Sequence, residues 1–164
     1  MESERRHVIS VVVENQFGVL ARIVGLFSGK GFNINSLTVA ETLDPKMSRM
    51  TIVTRGDQQV IEQTLKQLNK LIDVVRVSDL TLKNHVDREL VLIKLAATAE
   101  RRGEIVQIAE IFRSRIVDVA PGTLIIETTG DEGKLEALIN MLRPYGIVDV
   151  ARTGKIAIMR GRSN

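Results

Sequence analysis

The chain contains no cysteine. That excludes a disulfide framework, a thiol nucleophile and any Cys-ligated zinc or iron–sulfur centre. It also fits a reducing compartment, so the cytoplasm is the expected location. Tryptophan is absent and aromatic residues make up only 3%, which leaves few platforms for stacking nucleic-acid bases. Two histidines, His7 and His85, are too few for a multi-histidine metal site. Charge of one sign is lacking too: 23 basic residues face 20 acidic ones for a net +3. Such a mixed surface gives no argument for nucleic acid. No apolar run is long enough to span a bilayer, since residues 8–13 and 90–99 are short or interrupted. The polar start Met1-Glu2-Ser3-Glu4-Arg5-Arg6 is not followed by a signal-peptide core. Nucleophile elbow, P-loop, H-E-x-x-H and dinucleotide fingerprint are all missing. Intrinsic catalysis is therefore not expected, and neither nucleic acid nor membrane is an expected partner.

What is present is an ordinary globular composition, 44% hydrophobic and 26% charged over 164 residues. That length suits one or two domains. Four segments carry apolar residues at helical spacing: Leu20, Ile23, Val24, Phe27; Ile61, Leu65, Leu68; Ile105, Ile108, Ala109, Phe112; and Leu135, Leu138, Ile139, Leu142. Between them run strand-like stretches. Residues 7–14 are nearly continuous in β-branched character, as in a central strand. Residues 33–42 and 47–55 flank the turn Asp44-Pro45-Lys46, and 72–80 follow the second helix. The order then repeats: 89–98, a helix, a hairpin around Pro121-Gly122, a helix, and 147–152, with 155–160 a further strand.

The halves share more than order. Thr54-Arg55-Gly56-Asp57 opens the second helix and Thr128-Thr129-Gly130-Asp131 the fourth, each placing Asp at an N-cap. Asp73-Val74-Val75-Arg76 is echoed by Asp149-Val150-Ala151-Arg152. Each half reads β-α-β-β-α-β. The fold class is thus α+β, two ferredoxin-like domains in tandem, each a four-stranded antiparallel sheet with helices on one face. Right-handed crossovers place the first and third strands centrally and leave the second and fourth as edges. An exposed edge invites pairing with another chain, so a homodimer is expected. The domains are read as residues 5–81 and 88–164, with 82–87 a polar link.

His7 and His85 lack an evident acid partner and read as surface residues. The clusters Arg5-Arg6, Arg101-Arg102 and Arg160-Gly161-Arg162 read as solvated loops and termini rather than phosphate sites. Gly29 and Gly31 read as helix C-cap and turn residues. One constellation carries chemistry: Glu14-Asn15-Gln16-Phe17-Gly18-Val19-Leu20-Ala21-Arg22, then Gly31-Phe32-Asn33-Ile34. Gly18 falls where a central strand gives way to a helix, whose free N–H groups suit a carboxylate. Asn15 has an oxygen for a ligand amine, and Asn33 presents an amide from the neighbouring edge. The same residues equally suit an N-capping asparagine, a turn glycine and a second asparagine with no ligand.

N-x-x-G-V-L-x-R followed by Gly31-x-Asn33-Ile34 resembles the amino-acid-binding ACT domain. The blocks Val24-Gly25-Leu26-Phe27-Ser28, Gly31 through Val39, Asp44-Pro45-Lys46-Met47-Ser48-Arg49-Met50-Thr51-Ile52 and Lys66 through Val74 resemble the small, regulatory subunit of acetolactate synthase. The second half, from Arg88-Glu89-Leu90 to Ser114-x-Ile116-Val117-Asp118-Val119, resembles that family's C-terminal domain. The resemblance implies regulation, not catalysis. In the family a separate catalytic (large) subunit carries thiamine diphosphate, Mg and FAD, and condenses pyruvate with a second 2-oxo acid. The small chain activates it and confers feedback inhibition by valine in branched-chain amino acid biosynthesis. By resemblance Gly18, Val19 and Leu20 offer backbone N–H groups to the effector carboxylate. Asn15 and Asn33, with Ile34 beside it, take the polar end, Asn33 from across an ACT-domain homodimer. No cofactor is expected on this chain itself.

The second half departs from the ligand pattern. Thr98-Ala99-Glu100-Arg101-Arg102-Gly103 stands where the N-x-x-G turn should be. This half is therefore read as lacking an amino-acid site and serving in contact with the catalytic subunit or in dimer support. The alternative function is a stand-alone amino-acid sensor acting on transcription or on another enzyme.

Overall fold

A computed structural model describes residues 5–162. The chain divides into two compact units, the first made of residues 5–86 and 155–162, the second of residues 87–154.

The first unit contains β1 (Arg5–Glu14), α1 (Val19–Gly29), β2 (Ile34–Glu41), β3 (Met47–Gly56), α2 (Gln58–Leu68) and β4 (Val74–Asp79). The sheet order is β2-β3-β1-β4, all antiparallel, with β2 and β4 at the edges as the crossover argument requires. Alternation along β1 sends Ile9, Val11 and Val13 to the helix side. There they meet Ile23 and Phe27 of α1 and Ile61 and Leu68 of α2, all fully buried. Asp57 caps α2, its carboxylate accepting from Gln59 N at 2.8 Å.

The second unit repeats this plan with β5 (His85–Ala97, begun just before the unit boundary), α3 (Arg102–Ile111), β6 (Arg115–Ala120), β7 (Gly122–Gly130), α4 (Glu132–Leu142) and β8 (Ile147–Arg152). Its order is β6-β7-β5-β8. Val91, Ile93, Leu95 and Ala97 of β5 bury against Ile105, Ile108, Leu135, Leu138 and Leu142. Asp131 caps α4 by accepting from Lys134 N at 2.9 Å, so both T-x-G-D signals perform the role read from them.

Four readings need correction. The polar link does not survive as a link, because His85, Val86 and Asp87 already belong to β5. The chain's end does not stay with the second domain. β9 (Ile156–Met159) returns to the first unit, and Ala157 packs with Val8, Val53 and Leu80, while Met159 lies against the same cluster. Thr38 Oγ1 donates to Lys155 O at 3.1 Å, and Arg160 N to Asn84 O at 2.9 Å. These contacts cover part of the sheet face that the helices leave open. His7 is no surface residue: β1 begins at Arg5, which puts His7 on the helix side opposite Thr54, fully buried, its Nε2 3.3 Å from Gly56 O. Finally, Gly29 is the last helical residue of α1 and Lys30 the C-cap, while Gly31 takes the turn at φ +76°.

Candidate effector site

At one end of the first sheet three connections meet: the β1–α1 turn, the β2–β3 hairpin and the approach to β4. The antiparallel register places them together, since Glu14 faces Met47 and Val13 faces Val74. Asn15 N donates to Lys46 O at 2.7 Å and Glu14 N to Asp73 O at 2.8 Å. The Asn15 side chain joins the hairpin as well, Nδ2 donating to Pro45 O at 3.1 Å and to Glu41 Oε1 at 3.3 Å. With its amine so occupied, Oδ1 is the atom left to meet a ligand's ammonium.

Gly18 precedes α1 in the left-handed region, φ +83° and ψ −8°, and a Cβ there would find no atom within 4 Å. Glycine is selected by conformation and the space beside it is open. No side chain caps the helix. Arg22 N closes the first turn on Gly18 O at 3.1 Å, and Val19 N reaches Gln16 O only at 3.4 Å. The amides of Leu20 and Ala21 meet no acceptor among the described residues. Two free N–H groups, with that of Val19 only weakly held, thus mark a helix start bearing partial positive charge, an arrangement fitted to a carboxylate. Val19 is buried in the core and can contribute only its backbone, whereas Leu20 is partly exposed beside the turn.

Asn15, Gly18, Val19 and Leu20 therefore come together. Asn33 and Ile34 do not join them within one chain. They follow the far end of α1, an 11-residue helix of about 16 Å. Ile34 pairs with Thr54, at the other end of the sheet from Met47. Ile34 packs against the core, and Asn33 is exposed with its main-chain oxygen accepting from Thr54 Oγ1 at 2.8 Å. Sequence reading missed Glu41 and Asp73, which only the hairpin register and the β4 pairing bring to this end. Arg22 stood in the quoted motif without a role; its guanidinium lies 2.6 Å from Asp73 Oδ2.

The corresponding turn in the second unit is built from different residues, without the glycine in left-handed conformation and without an asparagine. Arg101 stands at the N-cap in right-handed conformation. Arg102 Nη2 donates to Ala120 O at 2.9 Å and Ala97 O at 3.4 Å, tying the turn to the ends of β5 and β6. The sequence reading of Arg101-Arg102 as a solvated cluster is thus half wrong, because the Arg102 head is spent on the backbone. A groove of about 610 Å³ between α4 and β8, lined by Glu136, Ile139, Asn140, Arg143, Val150 and Arg152, lies elsewhere in this unit. One of its cations is already paired, Arg152 Nε to Glu89 Oε1 at 2.9 Å. Among the described residues no helix is long and apolar enough to cross a membrane.

The fold and the open helix start define a tandem ferredoxin-like chain whose first unit is an ACT domain. The comparisons give the family. Residues 9–76 match a model described as an AHAS small subunit-like ACT domain, and residues 88–161 match one described as the small subunit of acetolactate synthase. The Aquifex aeolicus acetolactate synthase small subunit is 54% identical over 160 residues, covering 97% of this chain and 83% of that one. The Escherichia coli acetolactate synthase isozyme 3 small subunit is 48% identical over 157 residues, covering 95% and 96%. The crystal structure of the Thermotoga maritima acetolactate synthase small subunit superposes with a TM-score of 0.85 at 42% identity, covering 97% and 99%. The chain belongs to the acetolactate synthase small-subunit family.

Proposed function

We propose that this chain is the regulatory partner of a separate acetolactate synthase catalytic subunit and transmits feedback inhibition by valine, bound between two copies of its first unit. The observation that carries the reading is the bare start of α1: Gly18 at φ +83°, open space beside it, and first-turn amides without acceptors. A zwitterion fits there, its carboxylate on the amides of Gly18, Val19 and Leu20 with that of Ala21 beside them, its ammonium on Asn15 Oδ1.

Asn33 enters from a second copy. β2 is an edge strand, and antiparallel pairing of two β2 edges sets the start of one against the end of the other. The start carries Asn33; the end carries Glu41, to which Asn15 is already bonded. Ile34, anchored in the core, fixes the backbone that presents Asn33. Hydrogen bonds to charged groups contribute about 1.5–3 kcal/mol each. Burying a small branched side chain adds about 1.5–3 kcal/mol. Less the cost of association, a dissociation constant of about micromolar to millimolar follows, as suits the sensing of an end product. Inhibition further requires valine to prefer one holoenzyme state by about 1–3 kcal/mol.

Catalysis resides in the partner, which holds thiamine diphosphate, Mg and FAD and condenses pyruvate in the cytoplasm. The second unit, which lacks the N-x-x-G turn, serves contact with that partner or support of the dimer. The experiment is acetolactate formation by the catalytic subunit from the same host, with and without this chain, across a valine titration. Activation together with inhibition by valine is the expected result, with Asn33→Ala raising the half-inhibitory concentration by about tenfold or more. Activation that no valine concentration reverses overturns the effector site. No effect on a competent catalytic subunit overturns the partnership and leaves the stand-alone sensor.

A further inference from the structure

One residue holds both ends of the turn at residues 15–18. Asp73 stands immediately before β4, its side chain 11% exposed. Its main-chain oxygen accepts from Glu14 N at 2.8 Å and so fixes the last residue of β1. Its Oδ2 meets Arg22 Nη2 at 2.6 Å. Arg22 lies in the first turn of α1, and its own amide closes that turn on Gly18 O. The strand that enters the turn and the helix that leaves it are bracketed from a single point. A guanidinium on a largely buried carboxylate is a short, directional contact, and direction is what a bracket needs.

We propose that Arg22 and Asp73 are positioning residues of the effector site, setting where the first-turn amides of α1 stand relative to the end of β1. Neither touches the effector. In the second unit the strand register puts Gly146, not the echoing Asp149, where Asp73 stands: Gly146 O accepts from Ala96 N at 2.9 Å, and with no side chain it brackets nothing. The inference refines the valine-site reading and rests on it for its inhibitory readout. A second readout needs no effector.

The test uses full-length protein with its catalytic subunit and the variants Arg22→Gln, Asp73→Asn and Arg22→Lys, with Gly18→Val as a reference for the site itself. Valine inhibition is normalised to each variant's own uninhibited rate. Amide hydrogen exchange across residues 18–23 is measured without valine. The expected result is a half-inhibitory concentration raised about tenfold in Arg22→Gln and Asp73→Asn. Exchange should be faster at residues 19–22, and Arg22→Lys should recover most of both because it retains a cation within reach of Asp73. Should Asp73→Asn not fold, Arg22→Gln carries the test, since that side chain is 54% exposed. Wild-type exchange in Arg22→Gln overturns the proposal, whatever valine does. A loss that Arg22→Lys does not recover overturns it as well. If Gly18→Val abolishes inhibition while Arg22→Gln inhibits as wild type does, the bracket alone fails. If Gly18→Val is inhibited normally, the site reading fails, and the proposal fails with it.

Discussion

The two helix starts, α1 in the first unit and α3 in the second, occupy the same place in the same topology and reach it through different residues. At α1 the chain passes through Gly18 in the left-handed region, where a Cβ would meet no atom within 4 Å; neither helix has a capping side chain. At α3 it passes through Arg101 at φ −94° and ψ −11°, and Arg102 N donates to Thr98 O at 3.1 Å. Both turns are tied to the neighbouring hairpin, Asn15 through Pro45 O and Arg102 through Ala120 O. The amide of Asn15 has an oxygen to spare, whereas a guanidinium has only donors and spends them on main chain. Duplication preserved the fold because the fold rests on apolar spacing. It did not preserve the site, because the site rests on a glycine and an asparagine.

The open faces of the two sheets differ as well, and the largest expected effect lies there. β9 pairs β5, and its Ala157 packs with Val8, Val53 and Leu80 of the first unit. Removing residues 155–164 should destabilise the first unit by about 2–4 kcal/mol, the partial exposure of three core-sized side chains. The second unit, whose strand β5 begins in the first and pairs with β9, should lose less. Residue-resolved hydrogen exchange measures the two separately; equal loss in both would break the comparison.

A smaller asymmetry lies in the two T-x-G-D turns. A Cβ on Gly56 would stand 1.9 Å from Cε1 of Phe32, whose ring packs edge-on against the buried Phe27. A Cβ on Gly130 would meet Lys134 Cδ at 2.6 Å, part of a flexible chain that can swing away. Gly56→Ala should cost about 1–3 kcal/mol as an overpacking change, and Gly130→Ala well under half of that. Urea unfolding of the two variants checks it. Equal costs would mean that Phe32 yields as easily as a lysine.

These contrasts also show what the chain makes legible. Helices, edge and centre strands, and both aspartate caps follow from spacing and local chemistry, and they stand where the sequence puts them. Asn15 and Gly18 were legible because four consecutive residues build that turn. Glu41 and Asp73 were not, because only strand register brings them to it. His7 escaped because an extra turn-free stretch at Arg5 and Arg6 moves it inside a strand. The return of residues 156–159 escaped because four apolar-alternating residues say strand without saying which sheet face.

The smallest effect tests how firmly the start of α3 is tied to the residues that follow α4. Tyr145 Oη donates to Glu104 Oε2 at 2.8 Å, and Arg101 lies 6.0 Å from the ring centroid. The hydrogen bond to Glu104 is the main reason the phenol is held above its ordinary value near 10, with smaller contributions from desolvation and the carboxylate's charge, opposed by Arg101. A group raised in the folded state favours the neutral form. Its contribution is complete below the unfolded value and is lost as pH rises through the folded one. The chain has one tyrosine and no tryptophan, so phenolate absorbance reports this residue alone. Glu104→Gln should bring the titration down toward the ordinary value, since the main raising contact and the carboxylate charge go together. In the same variant Arg101 keeps its place over the ring and still pulls downward. A titration unmoved by Glu104→Gln would mean that Tyr145 does not stay on Glu104, and that the start of α3 is not tied to residues 143–145.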